Sequence, residues 1–291
     1  RTWRRHTLSI RNPKMETKAV GVFDDPVIMS GSLLNFNILP YQAEFLESCT
    51  NKKRIIGVWC RQSGKSTAIA IYCIWKANVF PDRKILIIAP TQAQSDLLFD
   101  KIRSFIHAHS FLESKIKREL ATHIQLENGS EIKALPTGPY GHTIRGHTAT
   151  DIILEESGII KDEIVDSVIM PMGAAHAEDL TIIQIGTPRG KNHFHEAAFG
   201  SNTPYILHRY DWTKPVEQGL FSREWIEEER NRIPELQFKT EYGADFIEDI
   251  DSYFKWDTIE RAIDPEIKMG KNHTHPKSVI SIGADFARMG E

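Results

Sequence analysis

The chain has 291 residues, 41% hydrophobic and 26% charged, ordinary for a globular protein with ample material for a core. With 36 basic against 39 acidic residues its net charge is -3, which excludes a uniformly basic coat but not a local basic groove. Its three cysteines, Cys49, Cys60 and Cys73, are spaced for neither a disulfide framework nor a metal site, and no apolar run reaches the roughly 18 residues of a membrane span; a reducing, intracellular setting is expected.

Arg1 to Lys18 is basic and irregular: a nucleic-acid arm, a packing strap or a leader. The absence of a start methionine and of a signal-peptide pattern leads us to expect a chain cut at its N-terminal side. Leu39-Pro40-Tyr41-Gln42 opens a predicted helix, where Gln42 has the donor and acceptor to read an adenine edge and Tyr41 a ring to stack beside it; a surface glutamine beside core aromatics is the plain alternative. Arg54–Trp59 reads as a strand, Ser66–Ala77 as a helix, Lys84–Ala89 as a second strand and Ala93–His107 as an amphipathic helix. His123–Ala134 reads as a hairpin turning at Asn128-Gly129. Asp151–Leu154 and Leu180–Ile185 are two further short strands. Apolar strands without strict alternation, separated by helices, predict an α/β fold with a mostly parallel sheet covered on both faces. Asn202–Asp249 is richer in charge, holds a helix capped by Ser222 and reads as a lid; Pro265–Pro276 reads as a linker and Ser278–Ala284 as a new strand.

The chemistry concentrates where the first strand runs into Cys60-Arg61-Gln62-Ser63-Gly64-Lys65-Ser66-Thr67 and opens a helix. Successive backbone N–H groups at a helix N-terminus cradle anions, Gly64 lets the backbone approach phosphate, Lys65 reaches β and γ phosphates, and the Ser66 hydroxyl suits magnesium. The loop is thus predicted to bind a nucleoside triphosphate such as ATP. It departs from the full phosphate-loop pattern, with Trp59 in place of the first glycine, and carries Arg61, read as a γ-phosphate contact or a solvent-facing residue. A machine of this kind also needs an acid for the metal and a base for water. Glu155 and Glu156, after the Asp151 strand, fill those places, Glu155 toward Mg2+ and Glu156 as base; Asp151 is expected at a surface strand start. Gly138–His147 is a glycine-rich loop whose Arg145 suits an arginine finger or a DNA phosphate contact, with a plain turn as the alternative. Thr187, at the tip of the last core strand, can face the γ phosphate, and Arg189 and Lys191 make that exit basic. The histidines lack a zinc pattern.

Together these residues resemble the large terminase subunit, the DNA-packaging motor of tailed double-stranded DNA bacteriophages. The resemblance runs from about Asn37 onward and implies a RecA-like P-loop ATPase of the additional-strand type followed by an RNase H-like nuclease. It implies an adenine-reading Q motif at Gln42, a variant Walker A loop over Cys60–Thr67, a Walker B strand ending in Glu155-Glu156, a coupling motif at Gly186-Thr187-Pro188, and a trans-acting arginine finger in the region of Arg145. Phe238–Phe246 resembles the end of the family's lid, and Ile282–Phe286 its first nuclease strand, with Asp285 as a metal carboxylate. The acidic pair departs from the family's usual Asp-Glu. The implied organisation is an N-terminal arm over 1–36, ATPase core over 37–201, lid over 202–264, linker over 265–277 and the start of the nuclease over 278–291, a fragment too short to cut DNA. The implied cofactors are ATP and Mg2+. The implied partners are double-stranded DNA, a portal protein and a small terminase subunit, with a homo-pentamer in the working motor and a monomer as isolated fragment. The implied setting is the host cytoplasm and transiently the procapsid, not the mature virion. A superfamily 2 helicase-like translocase is the rival reading, and a non-hydrolysing virion component a more distant one.

Overall fold

The computed structural model describes residues 21–247. The linker, the expected nuclease strand with Asp285 and the last part of the expected lid lie outside the described residues, as does the basic segment 1–20. Helix α1 (Pro26–Ser32) is capped by Asp25, whose Oδ1 accepts the Val27 N–H at 2.6 Å. Helix α2 (Pro40–Asn51) starts on a proline, which needs no N–H partner there, and the Gln42 side chain reaches back to accept the Leu39 N–H at 3.0 Å. Strand β1 (Arg54–Trp59) leads into α3 (Lys65–Val79), which is buried along nearly its whole length. Then come β2 (Lys84–Ala89), the Thr91-capped α4 (Gln92–His107), the meander β3 (Ile116–Leu120), β4 (His123–Leu126) and β5 (Glu131–Pro136), and strands β6 (Asp151–Glu155) and β7 (Thr181–Gly186). Helix α5 (His193–Phe199), β8 (Ile206–Tyr210) and three short helices, α6 (Thr213–Glu217), α7 (Arg223–Arg232) and α8 (Glu235–Glu241), complete the described chain.

The strands form one eight-stranded sheet in the order β3-β4-β5-β2-β6-β7-β1-β8. From β5 to β8 every pairing is parallel; β3, β4 and β5 pair antiparallel at one edge. Because side chains alternate across a strand, each apolar strand feeds two cores. Ile85, Ile87, Ile153 and Ile183 face α2, α3 and α4. Leu86, Ile88, Ile152, Leu154 and Ile182 face the segment from Ile160 to Met172, while Ile56 and Val58 meet Phe194, Ala197 and Ala198 of α5. The fold is the mixed α/β, RecA-like architecture expected from the sequence.

Three sequence expectations are corrected. Ile206–Tyr210, placed in the lid, pairs with β1 and extends the sheet, so the core runs on to Tyr210. Residues assigned to an N-terminal arm belong to the core: Met29 is fully buried, and the Trp75 indole N–H donates to the Phe23 carbonyl at 2.8 Å. Asp151, expected at the surface, is fully buried, and Tyr72 from α3 and Arg83 from the head of β2 reach it there. The smaller α6–α8 unit has a cluster of its own around Ile226, Phe238 and Tyr242.

Candidate active site

The carboxyl ends of β1, β6 and β7 lie side by side, and the chain leaves β1 for the distant β2, so they meet at a topological switch point where open α/β sheets bind ligands. The Cys60–Gly64 loop leaves β1 there. Its Cys60 N–H donates to Tyr210 O at 2.9 Å and its Arg61 N–H to Glu241 O at 2.7 Å, so β8 and α8 hold the loop's outer side. Gln62 (φ +58°) and Gly64 (φ +84°) are left-handed, and a Cβ on Gly64 would stand 2.1 Å from Gln42 Nε2. Only glycine fits.

That approach reveals what Tyr41 and Gln42 do. The Tyr41 hydroxyl donates to Ser63 O at 2.6 Å and Gln42 Nε2 donates to the same carbonyl at 3.1 Å. Tyr41 is 2% exposed and Gln42 3%. Trp59 and Tyr210 pack against the Tyr41 ring at 5.5 and 5.2 Å, and burial raises its hydroxyl pKa. Both brace the loop from behind, with these polar groups bonded inside the protein.

Lys65 is the first residue of α3 and 6% exposed. Its Nζ donates to Cys60 O at 3.1 Å and to Thr187 Oγ1 at 3.2 Å, and stands 4.0 Å from Glu156 Oε1. Ser63 Oγ donates to Cys60 O at 2.6 Å. Ser66 Oγ donates to Glu155 Oε1 at 2.7 Å. The other Glu155 oxygen, Oε2, is buried with no hydrogen-bond partner. Burial, then the neighbouring Glu156 charge, pushes the Glu155 pKa up to about 7, against the pull of Ser66, Lys65 and Lys101. A buried carboxylate oxygen without a partner beside a serine hydroxyl fits a hard cation such as Mg2+. Thr67 Oγ1 accepts from Lys101 Nζ at 2.9 Å.

Glu156 follows β6 in a left-handed conformation (φ +50°), and its Oε2 accepts the Thr187 N–H at 3.3 Å. The site thus brings Lys65, Ser66, Glu155, Glu156 and Thr187 together. Arg61 is exposed, 3.5 Å from Glu241 Oε2, and shares a cavity of about 210 Å³ with Gln94, Glu156, Thr187, Arg189 and Glu241. Gln94, Lys101 and Glu241 escaped the sequence reading. Gln94 and Lys101 lie seven residues apart, on one face of α4, which itself starts just beyond the tip of β2; that spacing was the available signal. Arg145 is not brought to Lys65 within this chain. It is exposed and borders a separate cavity of about 290 Å³ with His147, Ser167 and Pro171. Among the described residues no cluster of His, Cys, Asp and Glu could hold a metal by itself, and no helix is long and apolar enough to cross a membrane.

The family described as terminase large subunit, T4likevirus-type, N-terminal, matches residues 57–203, half of the chain, from within β1 to just before β8. The chain belongs to this family. The terminase large subunit of Thermus virus P23-45 is 25% identical over 293 aligned positions, which cover 87% of this chain and 59% of that protein. The present chain therefore spans less than two thirds of the length of that curated relative. Among solved structures, the large terminase ATPase domain of Thermus phage P74-26 superposes with a TM-score of 0.64 at 23% identity, over 77% of this chain and 99% of that one. The large terminase of a thermophilic bacteriophage, in complex with ADP, gives 0.57 at 11% identity, over 72% of this chain and 54% of that one. At these identities the superpositions speak for the fold; in this chain the loop at Lys65 and the Glu155-Glu156 turn occupy the sheet's switch point.

Proposed function

We propose that this terminase chain hydrolyses ATP to ADP and phosphate, and that the work drives double-stranded viral DNA into a procapsid. The observation that carries the reading is the meeting of Lys65, the Ser66–Glu155 pair, Glu156 and Thr187 at three adjacent strand ends. Backbone N–H groups of Gln62 to Thr67 and the N-terminus of α3 would cradle the phosphates. Lys65, freed from Cys60 and Thr187, would turn to the β and γ phosphates. Ser66 and Glu155 would hold Mg2+, which supplies charge neutralisation on the phosphate oxygens. Glu156 is the general base that orients the attacking water. Thr187, bonded to both Lys65 and Glu156, is placed to report the state of the γ phosphate. Arg61 and Arg189 supply positive charge on the open side of the cavity, and Arg145 is offered to a neighbouring subunit.

The α6–α8 unit serves as the lid, since Arg61 of the loop bonds to Glu241 of α8 through both backbone and side chain. The ADP complex of the thermophilic phage's terminase supports nucleotide as the cofactor class. The proposed partners are double-stranded DNA, a portal protein, a small terminase subunit and further copies of the chain in a pentamer, working in the host cytoplasm on the procapsid. The test is ATP turnover, with DNA and partners supplied, in wild type and Glu156→Gln. The expected outcome is that the variant keeps nucleotide binding and loses turnover on the order of a hundredfold or more. Wild-type protein without turnover under these conditions would sink the motor reading.

A further inference from the structure

Immediately after Glu156 the chain enters a polar network that the proposed chemistry does not use. Ser157 is fully buried, and its Oγ lies 3.0 Å from Gln184 Oε1 on β7 and 3.1 Å from His193 Nε2 at the start of α5. The other ring nitrogen, Nδ1, lies 2.8 Å from Asp162 Oδ1, which also accepts the His193 backbone N–H at 3.1 Å. Asn192 adds a parallel link, its Nδ2 donating to Gly158 O at 2.8 Å while its Oδ1 caps α5 by accepting from Phe194 and His195 N–H. Serine, histidine and aspartate in this order look like a hydrolytic triad. Ser157 has no access to any substrate, however, and its hydroxyl is held by Gln184.

The network instead ties down a strained turn. Glu156 holds a left-handed backbone without being glycine, a conformation that persists only where its surroundings enforce it. On one side the residue just past β7 holds it, through the Thr187 N–H on the carboxylate. On the other side the turn continues into Ser157 and Gly158, each bonded to the His193–Asn192 pair. A Cβ on Gly158 would stand 2.9 Å from Thr187 O, so the two segments already touch at backbone distance. Whichever way the Gln184 amide is turned, the Nδ1–H of His193 points at Asp162, because a carboxylate only accepts. Asp162 thus fixes the ring, and the ring fixes Ser157.

We infer that His193, oriented by Asp162, is a positioning residue that locks the Glu156 turn to the Thr187–Asn192 segment and so sets where the Glu156 carboxylate stands over Lys65. This rests on the hydrolytic reading of Glu156 for its kinetic consequence, but not for its structural one.

The test uses the full chain with its DNA and two substitutions that split the histidine's roles. Glutamine places an amide near the Nε2 position and can still bond Ser157; asparagine places one near Nδ1 and can bond only Asp162. His193→Ala is expected to lower kcat by on the order of tenfold to a hundredfold, as misplacement of a reacting group does, with ADP affinity within about twofold of wild type. His193→Gln recovers most of the loss and His193→Asn little of it. Independently of turnover, amide hydrogen exchange in Glu156–Gly158 speeds up in His193→Ala and returns toward wild type in His193→Gln. Unchanged exchange at that turn in His193→Ala overturns the inference, and so does an equal effect of all three variants. If wild-type protein shows no turnover, the hydrolytic reading fails while the exchange result still decides the role of His193.

Discussion

Glu155 stands where the family resemblance leads one to expect an aspartate, and the extra methylene has a visible consequence. Oε1 reaches Ser66 on α3, while Oε2 is left buried and unbonded. In the cation-free protein the side chain is therefore easier to protonate, with its pKa pushed up to about 7 by burial and by the Glu156 charge. An unfolded chain ionises the same group near the ordinary carboxylate value of 4.5. Between those pH values the folded state holds a proton that the unfolded state has lost, so this group's stabilising contribution is complete at low pH and is lost as pH rises toward 7. The shift corresponds to about 3 kcal/mol. Denaturant unfolding in a chelator at pH 5 and pH 8 should show wild type losing stability on that order relative to Glu155→Gln, which has no proton to lose. A parallel pH dependence in the two proteins would place the burden on other groups. The Ser66–Glu155 pairing was legible because residue types and strand order announce it. The contacts of Tyr41 and Gln42 to the Ser63 carbonyl were not, because a sequence shows that a glutamine sits at a helix start but not that its amide returns to the backbone.

At the scale of elements, the site depends on how closely β7 passes the turn after β6. Gly186 is the residue of closest approach: a Cβ there would meet Ser157 N at 3.0 Å and the Glu156 carbonyl carbon and Cα at 3.2 Å each. These are backbone atoms that cannot rotate away. Gly186→Ala should push the Glu156 turn off β7, weakening the Thr187 N–H contact to its carboxylate, and cost about 1–3 kcal/mol in stability by overpacking. The expected signature is a loss of turnover much larger than any loss of nucleotide affinity, measured by steady-state kinetics beside ADP titration. An alanine variant with wild-type kcat would mean that the turn does not need this contact. The apolar strands β1, β2, β6 and β7 were readable because all of them are buried on both faces. Strand β8 was missed because it is mixed in polarity and, among the described residues, paired to β1 alone. The helical turns between Ser157 and His176 mix tight and wide winding, which leaves no single period to recognise.

For the molecule as a whole, the parallel strands give the sheet a direction and divide its labour between two ends. The carboxyl ends carry Lys65, Glu155, Glu156 and Thr187. The other end carries a buried ionic cluster: Arg83 reaches Asp151 through Nε at 2.8 Å and through a terminal nitrogen at 2.7 Å, the Tyr72 hydroxyl donates to Asp151 at 2.8 Å, and Arg83 also pairs with Asp179. A parallel α/β sheet was foreseeable from the spacing of apolar runs, but the position of the hairpin strands beside β2, and this cluster, come from long-range pairing that no local pattern records. The cluster joins β2, β6, α3 and the segment before β7, so its work is to hold the layers together. Asp151 and Glu155 begin and end the same strand, roughly 13 Å apart at about 3.3 Å per residue, too far for direct contact. Arg83→Ala, which strips the buried Asp151 of its main countercharge, should cost about 3–5 kcal/mol. Asp179→Ala removes a partner that is 72% exposed and should cost less than about 1 kcal/mol. Both variants, assayed at a temperature where they remain folded, should turn over ATP at the wild-type rate per folded molecule, because neither change touches the Lys65 end. A drop in kcat for Arg83→Ala without loss of folded protein would show instead that the two ends of the sheet communicate.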